Sequence, residues 1–106
     1  MRPKYGNKRT NGHASKKEDR RSRELMLLQA AGEIRDLKEQ VPYELIPSQY
    51  VDGKCVERAC KYVADFVYTD REGNLVVEDT KGFRTPDYVI KRKLMLKVHG
   101  IKIKET

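Results

Sequence analysis

The chain has 106 residues, 23 of them Lys or Arg and 16 Asp or Glu, which gives a formal charge of +7 at neutral pH. That length suits one domain with a modest core and leaves no room for a separate recognition module. No apolar run is long enough to span a bilayer and no secretion signal is visible, so a cytoplasmic chain without membrane association is expected.

Residues 1–14 lack apolar periodicity and are rich in Lys, Asn and Gly, so they read as a basic flexible arm carrying Lys4, Lys8 and Arg9. The remainder, 15–106, reads as a single domain. Ser15-Lys16-Lys17-Glu18 matches a capping box, and a helix is expected from there to about Ala31, stopped by Gly32. Leu25, Leu27 and Leu28 form its apolar side, and Glu18, seven residues before Leu25, projects from nearly the same side. Ile34 and Leu37 fall in a short connection. Val41, Tyr43 and Leu45 then alternate through a first strand, with Pro42 marking a strand start or a sheet edge. Asp52-Gly53 is a turn candidate, and a second strand begins near Glu57.

The next stretch is the most informative. Tyr62 to Tyr68 and Leu75 to Lys81 both read as strands, joined by Asp70-Arg71-Glu72-Gly73-Asn74, a segment of hairpin composition. If Thr69 pairs with Leu75, then Val67 faces Val77 and Asp65 faces Asp79. Two like charges at roughly 4.5–5.5 Å between Cβ atoms destabilise a sheet. A divalent cation is the natural remedy, so a functional site is expected there. Beyond Gly82, Thr85-Pro86 starts a second helix whose apolar side is Ile90, Leu94 and Val98. After Gly100, Ile101 to Lys104 alternate as a closing strand. A strand, a helix and a strand in succession favour a right-handed crossover with a parallel pair, hence a mixed α/β (α+β) sheet flanked by helices.

The charge is unevenly placed. Residues 1–23 hold nine Lys or Arg against Glu18 and Asp19, and the stretch from Lys81 to Lys104 is basic again, opposed by Asp87 alone. Two basic blocks around a more acidic middle suit a polyanion, most commonly nucleic acid. Lys4, Lys8, Arg9, Lys16, Lys17, Arg84, Lys91 and Arg92 are the candidate phosphate contacts, which position a nucleic acid without reading its sequence. Cys55 and Cys60, with only His13 and His99 to join them, are too few and too poorly spaced for structural zinc.

The element order α-β-β-β-α-β and the pattern Asp65, thirteen residues, Asp79-Thr80-Lys81 resemble the PD-(D/E)XK nuclease superfamily. More closely, from Lys4-Tyr5-Gly6 through Ser15-Lys16-Lys17-Glu18 to Val77-Glu78-Asp79-Thr80-Lys81-Gly82, the chain is similar to small phage-encoded and prophage-encoded proteins of that superfamily. The resemblance implies an αβββαβ core in which Asp65, Asp79, Lys81 and Glu18 are catalytic. Asp65, Asp79, Glu18 and the Thr80 carbonyl would hold Mg²⁺, or Mn²⁺ in its place. Glu78 points to the opposite face and stays outside this set.

The activity so implied is that of a metal-dependent DNA endonuclease, structure-selective for branched DNA such as a Holliday junction or weakly selective, working in the cytoplasm of a bacterial host. Two symmetric cuts in a junction would require a homodimer. The competing readings are a basic nucleic-acid-binding protein without catalysis and a small RNA-binding protein. Tyr43, Tyr62, Phe66 and Tyr68 are expected in the core, and Gln40 lies where it can approach the site.

Overall fold

A computed structural model describes residues 15–106. The arm expected over 1–14, with Lys4, Lys8 and Arg9, lies outside the described residues.

Helix α1 spans Lys16–Ala30, and its N-cap Ser15 is extended, its hydroxyl accepting from the Glu18 N–H at 3.1 Å. The side chains it buries are Glu18, Asp19, Ser22 and Leu25. Positions 18, 22 and 25 recur at helical spacing on one face, and that face is largely polar. The expected apolar side is therefore corrected: Leu25 is buried, whereas Leu27 is 71% exposed and Leu28 is also exposed. A leucine two residues from Leu25 points across the helix axis from it, so adjacency in sequence did not bring it to the sheet.

Strand β1 runs over Arg35–Ile46, six residues earlier than the alternation from Val41 suggests. Asp36 and Gln40 have φ of 58° and 53°, and the pairing with the next long strand shifts between Arg35 and Lys38. These left-handed residues break the period of two, which hides the first half of the strand. β2 (Gln49–Val51) and β3 (Lys54–Glu57) form a small exposed hairpin that the sequence reading reduced to its turn. Asp52 at φ 50° and Gly53 at φ 78° supply the two left-handed residues such a tight turn needs. β4 therefore begins at Cys60 and continues to Thr69.

β5 covers Leu75–Asp79 and pairs antiparallel with β4, with Thr69 opposite Leu75, Val67 opposite Val77 and Phe66 opposite Glu78. That is the expected register. Helix α2 spans Pro86–Leu94, capped by the Thr85 hydroxyl, and passes into a π-helical turn, Met95–His99, closed by Gly100 at φ 68°. Its buried residues are Tyr88 and Met95, seven apart, while Ile90 and Val98 are exposed and Leu94 is half-buried. The predicted Ile90–Leu94–Val98 side is thus corrected. Tyr88 brings more apolar area than Ile90, and the wider π turn rotates Val98 off the face it would hold in a continuous α-helix. The closing strand β6 is short, Lys104–Glu105, and parallel to β5, with Ile103 buried just before it.

The main sheet has the order β1-β4-β5-β6, mixed, with β1 at one edge as Pro42 suggests. One apolar cluster (Leu45, Tyr62, Ala64, Val67, Val77, Tyr88, Met95, Ile103) packs with α2, and a second (Leu25, Ile34, Phe66, Tyr68) packs with α1. The fold is the expected α/β (α+β) arrangement of a mixed sheet flanked by helices, with one extra hairpin. Full burial of a side chain such as Phe66 or Leu25 contributes roughly 1.5–3 kcal/mol. Among the described residues, no helix is long and apolar enough to cross a membrane.

Candidate active site

The β4–β5 register carries Asp65 and Asp79 to the same end of the hairpin. Asp79, the last residue of β5, is 2% exposed. Its Oδ2 accepts from the Tyr62 hydroxyl at 2.6 Å, and its Oδ1 is buried without a hydrogen bond. The nearest cation is Lys81, whose Nζ lies 3.5 Å from Oδ1, near enough for attraction but beyond a good hydrogen bond. The same ammonium sits 4.6 Å from the centroid of the Tyr88 ring, a cation–π contact that fixes its height above the cavity floor. Burial first, and then the hydrogen bond to Asp79, raises the pKa of Tyr62, so it stays a neutral donor.

Asp65 is half-buried, and its Oδ2 accepts from the Thr80 N–H at 2.8 Å. Burial pushes its carboxyl up from 3.8 to about 6. The Thr80 N–H opposes this, and the negative charges of Asp79 and Glu18 add to it. Glu18 is buried on α1, where its Oε2 accepts from Gln40 Nε2 at 2.9 Å. Gln40 lies between the pairs Glu39–Phe66 and Val41–Ala64, so the strand pairing sets it across from Asp65. Its φ of 53° strains a residue that is not glycine by about 1–3 kcal/mol.

A cavity of about 230 Å³ opens onto this arrangement. Asp65, Asp79, Lys81, Tyr62 and Tyr88 line it, with Lys61, Thr85 and Lys91 at its sides. The structure brings Asp65, Asp79 and Lys81 to one cavity, and Lys91 and Asp87 from α2 join its lining. Glu18 acts on Asp65 by its charge but is not on the cavity wall. Among the described residues, no group of three His, Cys, Asp or Glu side chains is arranged to hold a metal ion. Asp65 and Asp79 line the cavity, whereas Glu18 lies behind its wall with its carboxylate accepting from Gln40.

Other candidates fall differently. Thr80 supplies its N–H to Asp65, and its hydroxyl pairs with that of Thr106 at 3.1 Å. Lys17 reaches the Lys81 carbonyl at 3.1 Å, while Lys16 is exposed on the first turn of α1. Arg84 and Arg92 do not line this cavity. Both are paired with Glu105, at 2.7 and 3.1 Å, and Glu105 also accepts from the Tyr88 hydroxyl at 2.7 Å. The Arg84 guanidinium and these other donors hold the Glu105 carboxyl down at about 2.

Sequence reasoning missed three polar contributors. The apolar body of Tyr62 points to the core, Tyr88 carries no motif of its own in the sequence, and Gln40 is placed only near the site. The available signal was position: Tyr62 precedes Asp65 by three residues on one strand, and Tyr88 sits in the first turn behind Pro86.

Two buried or half-buried carboxylates, one oxygen of them lacking a hydrogen bond and one carboxyl raised first by burial and then by its neighbours' charges, are a donor set that suits a hard divalent cation. Asp65 and Asp79 would hold it, with Lys81 beside it. Residues 2–105 match the family described as "Protein of unknown function (DUF1064)", and the chain belongs to that family. No curated protein matches the chain, and no solved structure does.

Proposed function

We propose that the protein is a divalent-cation-dependent endonuclease that hydrolyses phosphodiester bonds in DNA. The observation that carries this reading is the buried Asp79 Oδ1, which lacks a hydrogen bond beside a second carboxylate and a lysine. The reading also keeps the likeness to PD-(D/E)XK nucleases noted above.

Asp65 and Asp79 bind the cation through oxygen. Tyr62 holds one Asp79 oxygen at 2.6 Å and so turns the other toward the cavity. The Thr80 N–H orients Asp65 in the same way. When bound, Mg²⁺ supplies charge to the scissile phosphate, lowers the pKa of its water and stabilises the leaving oxygen. Lys81, a compact positive charge over the Tyr88 face, stabilises the negative charge that develops at phosphorus and orients the attacking water. Lys61 and Lys91 flank the cavity and hold neighbouring phosphates without reading bases. The substrate would be branched DNA or DNA of little selectivity, cut by a homodimer if both strands of a junction are cleaved. The setting would be the bacterial cytoplasm, with a phage-type origin.

Supercoiled plasmid and synthetic four-way junctions are incubated with the protein and Mg²⁺, Mn²⁺ or a chelator. Cleavage that needs the cation and disappears in folded Asp79→Ala and Lys81→Ala proteins is the expected result. Intact substrates with every cation would replace the nuclease by a non-catalytic nucleic-acid-binding protein. That second reading has one observation in its favour: Lys81 lies within ion-pair distance of Asp79, a structural arrangement in its own right.

A further inference from the structure

A larger cavity, about 380 Å³, lies on the α1 side of the same strand end. Its wall carries Lys17, Arg20, Arg21 and Lys104 together with the side chains of Thr80 and Thr106. Glu24 is the lining carboxylate, and it is already held by Arg21 at 3.0 Å. Behind the wall, the fully buried Glu78 accepts from Arg21 Nε and Nη2 at 2.9 and 2.7 Å, which fixes the guanidinium plane. Four cations thus face two carboxylates, both of them bonded to Arg21, which leaves a surplus of positive charge. Lys104 stands 4.0 Å from Glu78, and Arg20 makes no ion pair among the described residues. The Thr80 and Thr106 hydroxyls add neutral donors.

We propose that this cavity is a phosphate-binding site that takes a backbone phosphate of the nucleic acid away from the bond being cut, a role that rests on the nuclease reading above. The chemistry is that of an anion with several acceptor oxygens: Arg20, Lys17 and Lys104 line one hollow with Arg21, whose plane is held by Glu78. Its place in the chain supports a substrate contact over a free small anion. Thr80 lines this cavity and gives its N–H to Asp65, and Lys17 donates to the carbonyl of Lys81. The segment Asp79 to Lys81 therefore lies between the carboxylate cavity, whose lining balances Lys61, Lys81 and Lys91 against Asp65, Asp79 and Asp87, and a second cavity in which Lys17, Arg20, Arg21 and Lys104 outnumber the lining carboxylate Glu24. A polyanion laid across the strand end meets an excess of positive charge on the α1 side of the carboxylates.

The test uses Arg20→Ala/Lys104→Ala in the full chain, with Arg20→Lys as the charge-conserving control and thermal melting to confirm folding. Fluorescence anisotropy in chelator measures duplex binding without cleavage. The double variant is expected to bind about tenfold more weakly, with a salt dependence shallower by about two phosphate contacts, and Arg20→Lys to bind as the parent does. In a parallel arm, inorganic phosphate is titrated while the amide resonances of Thr80, Lys104 and Thr106 are followed. Saturable shifts there, lost in the double variant, complete the expected result. Unchanged DNA affinity and salt slope in the double variant would overturn the proposal. Phosphate shifts without any effect on DNA would overturn the backbone assignment and leave a site for a small phosphate compound. Because both arms run without a cation, loss of cleavage for other reasons leaves their outcome intact.

Discussion

Glu78 and Asp79 are consecutive residues of β5, both almost completely buried, and they are treated in opposite ways. Glu78 is 0% exposed and its carboxylate is satisfied by the Arg21 fork and the Tyr68 hydroxyl, with Lys104 nearby. Burial would raise its pKa, but these partners lower it. Asp79 faces the other side of the sheet, where Tyr62 serves one oxygen and the other has no hydrogen bond. A buried charge with a full set of donors is an internal tie. One that lacks a donor, beside a second carboxylate, is a place for an added cation. The contrast separates structure from chemistry within two adjacent residues.

That contrast breaks most visibly at the open carboxylate. Asp79→Asn is expected to reduce DNA cleavage by at least ~10³-fold, equivalent to about 4 kcal/mol of transition-state stabilisation, with calorimetric Mn²⁺ binding lost and melting nearly unchanged. Glu78→Ala should show the reverse order of effects. It strands Arg21, which is partly exposed, so a loss of about 2–4 kcal/mol of stability is expected in chemical denaturation. The residual folded fraction should still bind the cation.

Asp65 sharpens the comparison through pH. Its carboxyl is raised to about 6 in the folded protein, above its unfolded value, so the native state holds the proton more tightly. Stability contributed by the protonated form is present below pH 4 and is lost as pH rises to 6, without further loss above. In chelator, Asp65→Asn is expected to melt higher than the parent at pH 8, the difference vanishing below pH 4. The gap is worth at most ~3 kcal/mol, and less after solvent screening. Saturating Mg²⁺ should erase the parent's disadvantage by stabilising only the native state.

The smallest effect is expected at Gln40. Gln40→Gly relieves the left-handed backbone but takes the donor from the buried Glu18 carboxylate, so the two effects oppose each other and melting should shift by the equivalent of at most ~2 kcal/mol. Cation affinity and cleavage should nevertheless fall by up to about tenfold, because Gln40 fixes the Glu18 carboxylate, whose charge reaches Asp65. A drop in stability with unchanged cation affinity would make Gln40 purely structural.

Much of the site was legible in advance because a hairpin is local. Gly73, at φ 86°, and the apolar alternation on either side set the register from Thr69–Leu75 inward, and that register alone puts Asp65 near Asp79. Ser15 and Thr85 marked both helix starts by side-chain capping, which needs no distant partner. Less was readable where a residue has two characters. Tyr62 and Tyr88 bury their rings in the core yet carry hydroxyls to Asp79 and Glu105, and only the apolar part has a sequence period. The interrupted alternation at Asp36 and Gln40 likewise concealed half of β1.

By itself, then, the order of residues determined the two helix starts, the β4–β5 pairing and the two acids with their lysine, because each depends on contacts within about twenty positions. Only tertiary structure decided which charges are committed. Arg21 is 57 residues from Glu78, Gln40 is 22 from Glu18 and Arg84 is 21 from Glu105. Such long-range pairs depend on how α1 and α2 dock on opposite faces of the sheet. Docking removes water from some ions and supplies partners to them, while leaving one oxygen of Asp79 without a donor.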